Sequence, residues 1–144
     1  MTHLEQLKAM IRGEIEPPPV ARLIGLELVA IDRGHSVFEM DASKKHANPM
    51  GTLHGGILCD LADAALGTAM ATTLEEGESF TSLDLSIKFL KPVWNARLRA
   101  TARAVKRTRT LGLLECDVTD PGGSLVARVS STCMVLRGEE AKGR

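Results

Sequence analysis

Two carboxylates stand where little water is expected. Asp60 and Asp63 lie three residues apart within Ile57 to Ala71, a run in which nearly every other position is apolar or small. On a helix that spacing puts both on roughly one face, with Gly67 continuing the stripe. Buried carboxylates are costly unless paired or hydrogen-bonded. Asp60 is near the helix start, where a negative charge meets the positive end of the helix dipole, so its role reads as structural. Asp63 is too far in for the dipole to explain it. A salt bridge to one of the many arginines is the plain alternative, and a chemical role as base or nucleophile is the favoured one. Just upstream, Gly55 and Gly56 begin the same helix with backbone N–H groups that have no partner in their own helix. Such groups can hold an anion or a developing oxyanion, and glycine lets a ligand approach the backbone closely. Asn48 and His54 add side-chain donors beside them. Each signal alone is weak, since Asn48-Pro49 is also an ordinary turn; together with an internal carboxylate they describe a site.

The element that carries this site is predicted to be central. A helix apolar on all sides should be buried, in a membrane or inside a protein shell. A membrane span needs about 20 consecutive apolar residues, and Asp60 and Asp63 interrupt this run early. A soluble helix wrapped by the rest of the chain is therefore expected.

The run Asn48-Pro-Met-Gly51-Thr-Leu-His54-Gly55-Gly56, with Asp63 seven residues after the second glycine, resembles the hot-dog-fold acyl-CoA thioesterases, and within them the phenylacetic acid degradation (PaaI-type) group. The likeness takes in Pro19 to Glu27 and Ser82 to Pro92, and covers roughly residues 19–136. It implies an α+β fold, one long helix wrapped by a curved antiparallel sheet. It implies an acyl-CoA substrate and hydrolysis without a metal or separate cofactor, coenzyme A being part of the substrate. Gly55, helped by Asn48 and His54, would polarise the thioester carbonyl, with Gly56 beside it, and Asp63 would act as general base or as nucleophile. A water-positioning hydroxyl is carried onto Ser82. Strict alternation over residues 79–91, however, puts Leu83, Leu85, Ile87 and Phe89 on the helix side, and with them Thr81, so Thr81 stands as the rival of Ser82.

Helix geometry adds one constraint. Gly55 and Asp63 are eight residues apart, about 12 Å along one axis at 1.5 Å per residue. If both act on one carbonyl, the helix start of one subunit must meet Asp63 of another. A homodimer or dimer of dimers follows, in agreement with the shared-interface sites of the family.

Composition bounds the rest. With 144 residues the chain is one domain, able to bury about two-thirds of its unfolded surface. Lys+Arg and Asp+Glu number 18 each, so net charge gives no pull toward nucleic acid or an anionic membrane. Aromatics are 3% with no tyrosine, which argues against a base-stacking surface. Cys59, Cys116 and Cys133 sit in apolar segments without CxxC spacing, as buried small hydrophobes in a reducing compartment would. No signal-peptide pattern opens the chain, and a cytoplasmic location is expected.

In chain order, Thr2 to Glu5 is a capping box, with Leu4, Leu7 and Ile11 at helical spacing, predicting a helix over about 3–12. Pro17-Pro18-Pro19 is a stiff connector, so residues 1–18 form an N-terminal helix and linker. The hot-dog domain spans 19–137 and a polar tail, expected to lack structure, spans 138–144. Strands are expected over Leu26 to Ile31, Ser36 to Asp41, residues 79–91, Leu98 to Lys106, Leu111 to Thr119 and Leu125 to Leu136. The last two are joined by the Asp120-Pro-Gly-Gly123 turn. Arg97, Arg99, Arg103, Lys106, Arg107 and Arg109 read first as a solvated strand face; the sharper reading has Arg107 and Arg109 meet coenzyme A phosphates. Two rival functions are kept. One is a hot-dog hydroxyacyl-thioester dehydratase or hydratase using His46 and Asp60, against which stands His54-Gly-Gly where dehydratases carry a proline-glycine run. The other is a non-enzymatic acyl-CoA-binding module.

Overall fold

A computed structural model describes residues 1–144. Helix α1 (His3–Ile11) opens with the expected capping box: the Thr2 hydroxyl accepts from the Glu5 N–H at 3.1 Å and the Glu5 carboxylate accepts from the Thr2 N–H at 2.7 Å. The prolines lead into α2 (Pro19–Ile24), which ends at Gly25 with φ 92°, a left-handed closure that favours glycine. Strands β1 (Glu27–Asp32) and β2 (His35–Ala42) form a hairpin. A short 3-10 turn, Lys44–His46, and the glycine-rich loop then lead into the long helix α3 (Gly55–Ala71). After it come β3 (Glu78–Ser82), β4 (Ser86–Phe89), β5 (Ala96–Arg107), β6 (Leu111–Thr119) and β7 (Leu125–Arg137).

All strands pair antiparallel in the order β1-β2-β5-β6-β7-β3, with β4 on β7 next to β3. The sheet curls around α3, which packs mainly on β5, β2 and β6. Period-2 alternation explains the fit. Leu98, Ala100 and Ala102 of β5 point inward and are fully buried, and two of them are alanines, so the helix lies close. At Gly112 a Cβ would collide with Met70 Sδ, so a side chain there would force that buried methionine to move. Met40, Leu61, Leu66, Met70 and Leu114 complete a dry core.

Three expectations change. First, α3 is covered on one side only. Leu58, Leu61, Ala62, Ala65, Leu66, Ala69 and Met70 are buried, whereas Asp60 and Asp63 are exposed and Ile57, Ala64, Gly67, Thr68 and Ala71 are half-buried. A single sheet layer can clad one face of a helix, and the other stays open. Second, residues 79–91 do not form one strand. The Asp84 carboxylate accepts from the Thr132 N–H at 2.8 Å and its carbonyl accepts from the Ser131 hydroxyl at 2.7 Å. Residues 83–85 are thereby held off the ladder between β3 and β4, and Leu83 is left exposed. Third, the tail contains a 3-10 turn, Gly138–Ala141, resting against β3 and β7. No helix is long and apolar enough to cross a membrane.

Candidate active site

The loop before α3 is built by Asn48. Its side-chain oxygen accepts from the N–H groups of Met50 (3.0 Å) and Thr52 (3.1 Å), and its amide nitrogen donates to the Thr52 hydroxyl at 2.7 Å. Gly51, with φ 91°, closes this turn. One amide hydrogen of Asn48 is left over. The loop is anchored at its far end by Leu53 N–H donating to Val93 carbonyl (2.7 Å) and His54 N–H donating to His46 carbonyl (2.9 Å).

The helix start is thereby fixed in place. Neither Gly55 N–H nor Gly56 N–H finds an acceptor in the chain. Both glycines are closely approached: a Cβ on Gly55 would lie 3.0 Å from the Phe89 ring, and one on Gly56 would lie 3.1 Å from the His54 imidazole, so a side chain there would make those rings shift. A groove of about 380 Å³ opens here between Asn48, Gly55, Leu58, Phe89 and Leu90. His54, the residue before the helix, is exposed. The arrangement offers N–H donors aligned with a helix dipole to a carbonyl oxygen.

Asp63 lies two turns further along, on the open face. It forms no ion pair and no hydrogen bond within the chain; the arginines that could have met it are engaged elsewhere. Although solvent reaches it, surrounding protein pushes its carboxyl above the ordinary aspartate range, and the neighbouring charge of Asp60 adds to the shift. A carboxylate held with raised proton affinity and no partner is equipped to take a proton.

The interruption after β3 decides which hydroxyl faces the helix. Ser82, itself exposed, pairs with the buried Cys133, and the half-buried Phe80 with the buried Val135; Thr81 pairs with Met134, which is exposed on the outer face. Directly opposed residues share a face, so Ser82 is on the helix side and Thr81 is not. Strict alternation through to Phe89 would have put Thr81 inward, and the displaced residues 83–85 are why it does not. Ser82 Oγ is 3.7 Å from Cys133 Sγ. Burial pushes the Cys133 thiol up and the Asp63 charge adds to it, so Asp63, Ser82 and Cys133 share one neighbourhood. Neither Cys133 nor Phe89 carried a sequence signal beyond being apolar.

The basic cluster separates into two groups. Arg97, Arg99 and Arg103 pair with acidic neighbours on the outer face. Arg107 is drawn inward, donating to the Glu78 carboxylate at 2.9 Å and to the Thr73 hydroxyl at 3.2 Å, which leaves it no free face for a phosphate. The Arg109 guanidinium has no carboxylate partner. His46 is buried: its Nδ1 accepts from the Ser43 N–H at 3.2 Å, which places the proton on Nε2, 2.9 Å from the Ile24 carbonyl. Both ring nitrogens are engaged, so the His46–Asp60 pair of the dehydratase reading lacks an available base. No cluster of three or more His, Cys, Asp or Glu side chains is placed to hold a metal ion.

Similarity to known proteins identifies the family. The Thioesterase superfamily profile matches residues 50–127, a span that contains Gly55, Gly56, Asp63 and Ser82. Human acyl-coenzyme A thioesterase 13 is 30% identical over 132 residues, covering 89% of this chain and 94% of that protein. The 1,4-dihydroxy-2-naphthoyl-CoA hydrolase of Listeria monocytogenes is 29% identical over 114 residues, 79% of this chain and 93% of the relative. The solved phenylacetic acid degradation-related protein of Ralstonia eutropha JMP134 superposes with a TM-score of 0.80 at 32% identity, covering 89% of this chain and 98% of that one. Matched by the superfamily profile over more than half its length and 30% identical to an acyl-coenzyme A thioesterase, this chain belongs to the thioesterase superfamily and is a thioester hydrolase of the hot-dog fold.

Proposed function

We propose that the protein hydrolyses acyl-CoA thioesters at composite sites, each shared between two copies of the chain. The observation that carries this reading is the unpartnered Asp63 on the open face of α3, with unpartnered Gly55 and Gly56 N–H groups about 12 Å away along the same axis. An aspartate side chain does not span that distance, so one carbonyl meets both groups only if they come from different subunits. The exposed strip of α3 and the outer edges of β3 and β4, unpaired at the end of the sheet, offer surfaces for a symmetric partner. The acyl-CoA substrate is supported by the relatives just named.

In this mechanism the thioester carbonyl oxygen accepts from Gly55 N–H, with Gly56, the spare Asn48 amide hydrogen and His54 beside it. Asp63 of the facing subunit takes a proton from water as the water oxygen bonds to the acyl carbon, and Ser82 orients that water. The C–S bond then breaks, the acid leaves, and the thiolate of coenzyme A receives the proton. In the covalent variant the Asp63 carboxylate attacks first, thiolate departs, and water cleaves the mixed anhydride. No metal or separate cofactor enters either route. Arg109 is the better of the two proposed phosphate contacts, since Arg107 is tied to Glu78.

Free thiol release from a panel of acyl-CoAs tests the reading. A thioesterase releases thiol; a dehydratase alters only the acyl chain and a binding module does neither. Complementation tests the shared site. Asn48→Ala and Asp63→Ala chains should each be nearly inactive, and exchange between them should restore up to one working site per heterodimer. Verified heterodimers that stay inactive would confine the site to one chain.

A further inference from the structure

His46 takes no part in the chemistry above, yet its ring is 6% exposed and tied at both nitrogens. Nδ1 accepts from the Ser43 N–H, three residues back, and Nε2–H donates at 2.9 Å to the Ile24 carbonyl, 22 residues back. Ile24 is the last residue of α2, so its carbonyl has no partner within that helix. The ring therefore joins the end of α2 to the turn that follows β2.

The backbone of the same residue holds the start of α3. The His46 carbonyl accepts from the His54 N–H at 2.9 Å, and Ala47 and Leu53 pair beside it as an antiparallel bridge. With the Asn48 N–H donating to the Thr52 carbonyl at 2.7 Å, residues 46–54 form a small hairpin whose two ends are His46 and His54. His54 is the N-cap residue of α3, and its side chain makes no capping hydrogen bond. The two glycines that follow add backbone freedom rather than restraint. The hairpin thus sets the position of their N–H groups, and it is held to the rest of the protein by the His46 ring at one end and the Leu53–Val93 bond at the other.

We propose that His46 is a positioning residue for thioester cleavage: its neutral imidazole clamps the hairpin to the end of α2 and so fixes where the Gly55 and Gly56 N–H groups meet the thioester carbonyl. The proposal rests on the hydrolase mechanism above. A neutral imidazole has one acceptor and one donor, which match the one N–H and one carbonyl it meets. The Ser43 bond closes a single 3-10 turn, whereas the Ile24 bond joins separate elements, so the donor at Nε2 carries the clamp. Misplacing a reacting group by about 1 Å costs on the order of 10²-fold in rate, so a clamp far from the reacting atoms controls kcat.

The experiment uses the full-length protein with His46→Gln, His46→Asn and His46→Phe, each at a temperature where circular dichroism shows it folded. Glutamine keeps a donor able to reach the Ile24 carbonyl, asparagine keeps only an acceptor for the Ser43 N–H, and phenylalanine keeps the ring without either. Hydrolysis of hexanoyl-CoA gives kcat. Affinity is measured with S-hexyl-coenzyme A, a thioether that has no carbonyl for the N–H donors to hold. The Asn and Phe variants should lose about 10–100-fold in kcat with unchanged S-hexyl-coenzyme A affinity. Their Gly55 and Gly56 amide resonances should shift in ¹H–¹⁵N spectra. The Gln variant should keep most of the wild-type kcat and both resonances, and it decides the clamp even if the Phe variant does not fold. Wild-type kcat in the folded Asn variant overturns the proposal, as do equal losses in the Gln and Asn variants. So does a kcat loss matched by weakened S-hexyl-coenzyme A binding, which would make His46 a support of the fold alone. If the wild-type protein releases no thiol from any acyl-CoA, the hydrolase mechanism fails separately, and the glycine resonances still decide whether His46 holds the helix start.

Discussion

Glu78 and Asp63 are both carboxylates beside α3, and the fold treats them in opposite ways. Glu78 begins β3 with its side chain 9% exposed, bound by Arg107 and Arg137 and accepting the Glu75 N–H at 2.8 Å. The Glu75 N–H holds its carboxyl below the usual range, and Arg137 and Arg107 reinforce this. Its arginines also reach Thr73 and the Arg109 carbonyl, so one acid fastens the helix end, β3, β5 and β7 together. Asp63 has neither cation nor hydrogen bond, and its pKa is raised. A carboxylate with both oxygens engaged is a fastening; one left unpartnered and partly desolvated keeps free energy available for a proton or an electrophile. The contrast tells structural acids from chemical ones in a chain that has 18 of them.

The largest break in this contrast is Asp63→Asn. Loss of a positioned base should lower kcat by about 10²–10⁴-fold, while thermal unfolding should show a chain at least as stable as wild type. The sign follows from linkage. A carboxyl with its folded pKa above the unfolded value binds its proton more tightly when folded, so this contribution is favourable at low pH and lost as pH rises through the folded value. Neutral asparagine avoids that loss at pH 7. Glu78→Gln should do the reverse, leaving kcat nearly intact and costing about 2 kcal/mol in urea unfolding. That is below the 3–5 kcal/mol typical of a fully buried pair, because the Arg137 side chain stays 37% exposed. An Asp63→Asn enzyme with full activity, or a Glu78→Gln enzyme that is stable but dead, would reverse the assignment.

Two smaller effects sharpen it. Arg109→Ala should raise KM by about 3–10-fold with kcat unchanged, the pattern of lost uniform binding, and the increase should shrink as salt rises. Arg107→Ala should instead lower the melting temperature, since it releases Glu78; equal KM effects from both would show that Arg107 leaves its partner in solution. Asp60→Asn should keep its activity at neutral pH. Removing the Asp60 charge lowers the Asp63 pKa, so the acid limb of the pH–rate profile should move to lower pH. A limb that does not move would detach it from Asp63.

What the sequence by itself determined is whatever depends on near neighbours. The Thr2–Glu5 cap, the Asp120–Gly123 turn and the start of α3 at Gly55 follow from spacings of two to four residues. Backbone hydrogen bonds and side-chain direction are set at that range. The loop-and-helix pattern carried the family for the same reason. Tertiary structure decided which side of α3 stays open, because that depends on a one-layer sheet assembled from the whole chain. It also turned Ser82 rather than Thr81 toward the helix, since Asp84 captures β7 backbone 48 residues away. His46 became a scaffold residue by reaching Ile24, and Arg107 was removed from the free cations by Glu78, 29 residues upstream. A charge or hydroxyl takes its role from the partner it finds, and those partners are brought together only when the sheet closes around the helix.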